Sequence, residues 1–129
     1  MQMLPEAHPS VPCQKEGILI VNLGTPDSTK WMDIRRYLKE FLSDKRVIEV
    51  NPVLWSVILN LVILTFRPAK TAKAYKKIWM KKEDISPLRY YTARQAKLVA
   101  ERIQTKDIIV SYAMRYGNPS INMKIKEMQ

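Results

Sequence analysis

Two residues late in the chain, Arg115 and Tyr116, have the chemistry to hold an acidic or a flat ligand. A guanidinium binds a carboxylate through two parallel hydrogen bonds and stacks on aromatic planes. A phenol adds a donor and a broad apolar face. Both residues follow the apolar run 107–114, which reads as a buried strand, and both precede a helix start. In open α/β sheets, ligands bind at the carboxyl ends of strands. The earlier apolar run 17–24, GILIVNLG, delivers Asn22, Leu23, Gly24 and Thr25 to an equivalent place. Two readings stand for Arg115 and Tyr116. They orient an acid or flank a flat ligand, or Arg115 is a structural ion-pair residue and Tyr116 packs.

Other chemistries fail on residue type. Glycine occurs only at 17, 24 and 117, so neither GxGxxG nor a Walker A loop can form. The stretch GTPDSTK, residues 24–30, resembles the tail of a phosphate loop but lacks the second glycine before its lysine. One Cys and one His cannot build a zinc finger, an iron–sulfur cluster or an internal disulfide. No HExxH, CxxC or GxSxG is present. The acids are scattered beside Lys or Arg and read as surface groups. His8 and Cys13 fall in or beside a proline-rich stretch, 1–14, expected to be a flexible tail. No metal ligands and no cofactor are therefore expected. Single-cysteine usage points to a reducing, intracellular setting. A length of 129 residues suits one domain.

The elements that must position these residues can be read from periodicity. Run 17–24 is short and branched, as in a parallel strand buried on both faces. A turn at 25–28 leads to a helix over 29–42, capped by Ser28 or Thr29, whose apolar face is Ile34, Tyr37, Leu38, Phe41 and Leu42. Residues 47–50 read as a short extended piece. A helix over 71–80 carries Ala72, Tyr75, Ile78 and Trp79, and a charged loop follows at 81–84. Ser86-Pro87 caps a helix running to 103. Strand 107–114 comes next, then Asn118 as cap with Pro119 in the first helical turn of a helix over 119–128. Strand, loop, helix and strand again predict an α/β fold, the opening of a doubly wound parallel sheet with flanking helices.

Charge separates the two halves. The net charge is +10, yet residues 1–66 hold seven acids and seven bases, while 67–129 hold fifteen bases and five acids. Such asymmetry suits nucleic acid, acidic lipid or an acidic ligand, and it equally suits a solvated helix face. Between the halves lies LWSVILNLVILTF, residues 54–66, with ten apolar residues of thirteen. It is too short to cross a bilayer, and no apolar run reaches the roughly 18 residues of a transmembrane helix. It is either a buried core helix or an exposed apolar lip. Arg67, Lys70, Lys73, Lys76 and Lys77 follow at once, which favours the lip. An apolar stretch abutting a basic helix suits an anionic membrane surface or an apolar ligand bearing carboxylates. The aromatic residues lie on expected core faces, not interleaved on a basic strand surface, which argues against nucleic acid.

The segments ILIVNLGTPD, RRYLKEFLSDKRVIEV, LILTFRP with AYKKIW, ISPL and SYAMRYGNPSI, in that order over residues 17–129, resemble ferrochelatases of the bacterial, alphaproteobacterial-like type. The resemblance implies insertion of ferrous iron into protoporphyrin IX, the last step of protoheme synthesis, by a lyase of the cytoplasm or the inner face of the membrane. Its wording favours protoporphyrin over coproporphyrin. It implies a two-lobed fold with the porphyrin in a cleft between Rossmann-like lobes. Residues 15–129 would be the N-terminal, incomplete part of the first lobe, with 54–66 as the lip at the cleft mouth.

Residue by residue, the resemblance places Leu23, Arg115 and Tyr116 on the porphyrin and metal-side wall. It places Arg67, Tyr75 and Ser86 near the propionates. The family's catalytic histidine and its partner glutamate match no position here, and His8 matches neither. The chain taken alone is expected to be inactive in chelation, with a non-catalytic tetrapyrrole- or membrane-binding remnant as the alternative.

Overall fold

The structure, a computed structural model, describes residues 15–129, so the expected tail at 1–14, with His8 and Cys13, lies outside the described residues. Its order is β1 (Glu16–Thr25), α1 (Trp31–Ser43), α2 (Pro52–Ile58), a π-helical turn (Leu59–Ile63), α3 (Leu64–Ile78), α4 (Pro87–Ile103), β2 (Ile108–Gly117) and α5 (Ile121–Met128). β1 and β2 pair in parallel, from Glu16 with Ile108 to Thr25 with Gly117. The chain is therefore an α/β unit with a two-stranded parallel sheet flanked by helices.

Asn22 on β1 donates to the Thr92 hydroxyl of α4 at 3.0 Å, which marks the face that α4 covers. Alternation puts Val21 and Leu23 on the opposite face, and both are about half exposed. The sheet is thus not buried on both faces, contrary to the apolar run's reading. Two strands offer too little width for the helices to enclose each face.

Helix α1 lays Ile34, Tyr37, Leu38 and Leu42 into the main core, with Phe41 packed beside them, as its 3.6-residue spacing requires. It starts two residues later than expected, and Lys30, not Ser28 or Thr29, is the N-cap. Ser28 instead accepts from the Lys30 N–H and donates to Asp33, making a local turn. Residues 47–50 form no strand. With no neighbouring strand they have no ladder to join.

The segments 54–66 and 71–80 are one continuous helical rod, Pro52–Ile78, broken only by the π-helical turn. Asn51 caps it, its side chain accepting from the Val53 and Leu54 N–H groups. Pro68 has no N–H to give the Leu64 carbonyl, and the wider turn lies just before it. That turn adds one residue to the period, so Leu59 and Leu64, five apart, both reach the core. Pro68 and Ala72 continue the buried stripe at intervals of four. At 27 residues, with mean hydropathy 1.5 over its most apolar window, this rod is long and apolar enough to cross a membrane by length and composition alone. Its stripe packs against α1, so we describe it as a surface helix with one buried side.

The Ser86-Pro87 start of α4 is as expected, with Ser86 Oγ accepting from Arg89 N at 3.2 Å. The start of α5 is not. Asn118 turns away to donate to Asp27, and Ser120 caps the helix by accepting from Met123 N. The extra residues of strand, through Gly117, displace the helix start to Ile121.

Candidate functional site

The carboxyl ends of β1 and β2 lie side by side because glycine permits it. A Cβ on Gly24 would stand 2.0 Å from the Tyr116 carbonyl oxygen, and one on Gly117 would stand 2.5 Å from that of Thr25. Gly24 also has φ +138°, where side chains are strained. The register aligns Asn22 with Met114 and Gly24 with Tyr116. Leu23 therefore sits level with Arg115, on the face opposite α4.

Arg115 and Tyr116 are held by Asp44, the C-cap of α1. Arg115 Nη2 donates to Asp44 Oδ2 at 2.9 Å, and the Tyr116 hydroxyl donates to the same oxygen at 2.7 Å. Arg115 Nε donates back to the Tyr116 hydroxyl at 3.1 Å, closing a three-membered ring of contacts. The other carboxylate oxygen accepts from Arg46 N at 2.9 Å. The Arg46 N–H and the Tyr116 and Arg115 donors all favour the ionised carboxyl and hold Asp44 down at about 2. Tyr116, followed by Asp44, raises the Arg115 pKa.

Tyr116 is buried, edge-on to Phe41 with ring centroids 5.1 Å apart. Phe41 stacks on Tyr37, Tyr37 meets Tyr75 edge-on, and Tyr75 meets Trp79. One aromatic row thus runs from the strand end to the end of α3. Burial, then its neighbour Tyr75, pushes the Tyr37 phenol well above its ordinary range.

In front of the pair lies an open groove of about 560 Å³, lined among others by Glu40, Asp44, Arg115, Tyr116 and Ser120. The structural reading of Arg115 and Tyr116 holds, since one is ion-paired and the other packed. They also line open space, and Leu23, level with Arg115 in the register, is exposed.

The other three residues named from sequence are spread along the helices. Arg67 is exposed on α3 beside a groove of about 600 Å³ lined by Val62, Ile63, Phe66, Lys70, Thr71 and Ala74. Tyr75, half-buried, belongs to the aromatic row. Ser86 is 1% exposed and caps α4. Its O–H remains a donor. Trp79 Nε1 donates to Asp84 at 2.9 Å, which ties the end of α3 to the loop before Ser86. Tyr75 is joined to Tyr116 through Tyr37 and Phe41, and no hydrogen bond joins Arg67, Tyr75 and Ser86 to one another.

The apolar stretch is largely exposed and not a buried core helix. Val53, Leu54, Val57, Leu61, Val62 and Phe66 are all more than half exposed, while Leu59 and Leu64 alone of the run are buried. Among the described residues no group of three or more His, Cys, Asp or Glu side chains could hold a metal ion.

Asp44 was not found by sequence reasoning, which left it among the scattered surface acids. Its partners lie 71 and 72 residues away. One local signal exists. α1 has no basic residue in its last turn, and carries Glu40 and Asp44 there, against the helix dipole.

The family model described as Ferrochelatase matches residues 15–129. A ferrochelatase of Francisella tularensis subsp. tularensis (strain WY96-3418) is 55% identical over 115 residues, which is 89% of this chain and 34% of that protein. One of subsp. mediasiatica (strain FSC147) matches equally, and one of subsp. novicida (strain U112) is 54% identical over the same length. The chain thus spans about a third of the length of the curated relatives it matches.

Proposed function

The chain belongs to the ferrochelatase family, and on that premise we propose that it forms the porphyrin-facing wall of an enzyme inserting ferrous iron into protoporphyrin IX. The observation that carries this is the level placement of Leu23 and Arg115 at paired strand ends, with Arg115 lining an open groove. An exposed leucine covers an apolar macrocycle face. A fixed guanidinium and phenol bound its edge. Arg67 would take a propionate in a bidentate pair, with Tyr75 and Ser86 as hydroxyl donors. Insertion replaces two pyrrole N–H bonds by Fe–N bonds, so two protons must leave to a base. The one histidine of this chain, His8, matches no family position, so the 129-residue chain is expected to bind porphyrin without inserting iron.

The exposed lip and the basic residues from Arg67 to Lys82 support a peripheral contact with an anionic membrane, the route by which an apolar substrate would arrive. A cytoplasmic location at that surface fits the same reading.

An absorption titration of the chain with protoporphyrin IX tests the wall. Arg67→Ala should weaken binding about tenfold, the loss of one charged hydrogen-bonded pair. Unchanged affinity would remove the propionate role, and no binding by the unsubstituted chain would remove the wall. Iron insertion well above the uncatalysed rate would remove the expectation of inactivity.

A further inference from the structure

α1 ends the wrong way round. A helix favours cations in its last turn, where unpaired carbonyls make the negative pole. Here the last turn and cap hold Glu40 and Asp44 and no basic side chain. Both carboxylates reach across to the carboxyl end of β2. Glu40 Oε2 accepts from the Gly117 N–H at 3.0 Å, and Asp44 takes Arg115 and Tyr116.

We propose that Asp44, seconded by Glu40 one turn earlier, is the positioning residue that fixes the Arg115 guanidinium and Tyr116 phenol along the groove. The proposal rests on the reading of Leu23, Arg115 and Tyr116 as a porphyrin-facing wall. Asp44 does not touch the ligand in this account and acts through its two partners.

The geometry says what the clamp accomplishes. Tyr116 spends its O–H on Asp44 and its lone pair on Arg115 Nε, so the phenol can neither swing out nor offer itself readily to a metal. The guanidinium is anchored through Nε and Nη2, which fixes its plane and leaves Nη1 and the remaining Nη2 hydrogen unassigned. Its centre lies 5.4 Å from the Tyr116 ring centroid, a cation–π contact that adds to the restraint. The ion pair is also neutral as a unit. An isolated guanidinium in this place would repel an approaching dication, and the Asp44 carboxylate cancels that field at 2.9 Å. A long, flexible arginine held in one rotamer loses less entropy on meeting a ligand.

A double-mutant cycle on the 129-residue chain tests this. Protoporphyrin IX affinity is measured by absorption for the unsubstituted chain, Asp44→Asn, Arg115→Met and the double variant. Asp44→Asn should weaken binding about fivefold alone and clearly less in the Arg115→Met background, where only Tyr116 is left for it to position. Equal weakening in both backgrounds, or no effect of Asp44→Asn where Arg115→Met does weaken binding, would overturn the clamp. A second readout needs no porphyrin. In ¹H–¹⁵N spectra the Arg115 Nε–H should give a sharp, slowly exchanging resonance that Asp44→Asn erases. Persistence of that resonance in a folded Asp44→Asn chain would overturn the clamp as well. Absence of porphyrin binding combined with loss of the resonance would leave the clamp standing and remove the wall reading instead.

Discussion

Gly24→Ala is the substitution that the strand ends should tolerate least. Gly24 has φ +138°, a region costing a side chain roughly 1–3 kcal/mol. The new methyl would stand 2.0 Å from the Tyr116 carbonyl oxygen, and the obstacle is backbone, not the tip of a flexible side chain. Relief requires β1 and β2 to part where Gly24 meets Tyr116 and Thr25 meets Gly117, an overpacking cost of about 1–3 kcal/mol more. The sum is about 4 kcal/mol, a large share of the roughly 5–15 kcal/mol that holds a domain folded. Gly17→Ala is the internal control on the same strand. Its methyl meets only the terminal carbon of Met128, at 2.6 Å, and its φ is unremarkable, so its cost should stay under about 1 kcal/mol. Urea unfolding followed by far-ultraviolet circular dichroism measures both. Gly24→Ala should lower the midpoint far more than Gly17→Ala, and it should also weaken protoporphyrin binding by displacing Leu23 from Arg115. Equal and small losses for the two variants would refute the close approach, and with it the account of how the wall is assembled.

Two further outcomes follow from the same packing. Leu64→Ala, at a fully buried position of the long helix, should cost about 3 kcal/mol, whereas Phe66→Ala, two residues on and 72% exposed, should stay within about 0.5 kcal/mol; thermal melts of the two would expose an inverted helix face at once. Asp44 is held at about 2, below its unfolded value near 4, so its contribution is complete above pH 4 and fades as acid approaches pH 2. Urea midpoints between pH 5 and 2 should therefore fall more steeply for the unsubstituted chain than for Asp44→Asn, and parallel curves would show that the carboxylate is not preferentially ionised in the fold.

Much of the fold was legible because its signals are local. The branched runs at 17–24 and 107–114 read as strands and are strands, and the Ser86-Pro87 pair marks a helix start by its own hydrogen bonding. What failed was non-local or depended on partners. Residues 47–50 have strand-like composition and no strand to pair with. β1 reads as doubly buried, yet only α4 covers one of its faces well. Runs 54–66 and 71–80 read as separate segments, yet they belong to one helical rod that contains Pro68. A π-helical turn placed just before it lets the helix run through.

The site divides along the same line. Arg115 and Tyr116 were visible because a charged and an aromatic residue leaving an apolar strand is a pattern within one segment. The two readings offered for them, ion pair or ligand wall, proved not to exclude one another. The ion pair is the means by which a wall can be held still, since an arginine that spends one edge on Asp44 keeps the other for what lies in the groove. Asp44 itself carries no such pattern, and only a chain folded so that residue 44 meets residue 115 reveals it. Its one sequence-level trace is a broken rule, acids where a helix wants bases. Local rules are broken most often where a side chain is committed elsewhere. In this chain the breach at the end of α1 points straight at the strand end that we propose as the porphyrin-facing wall.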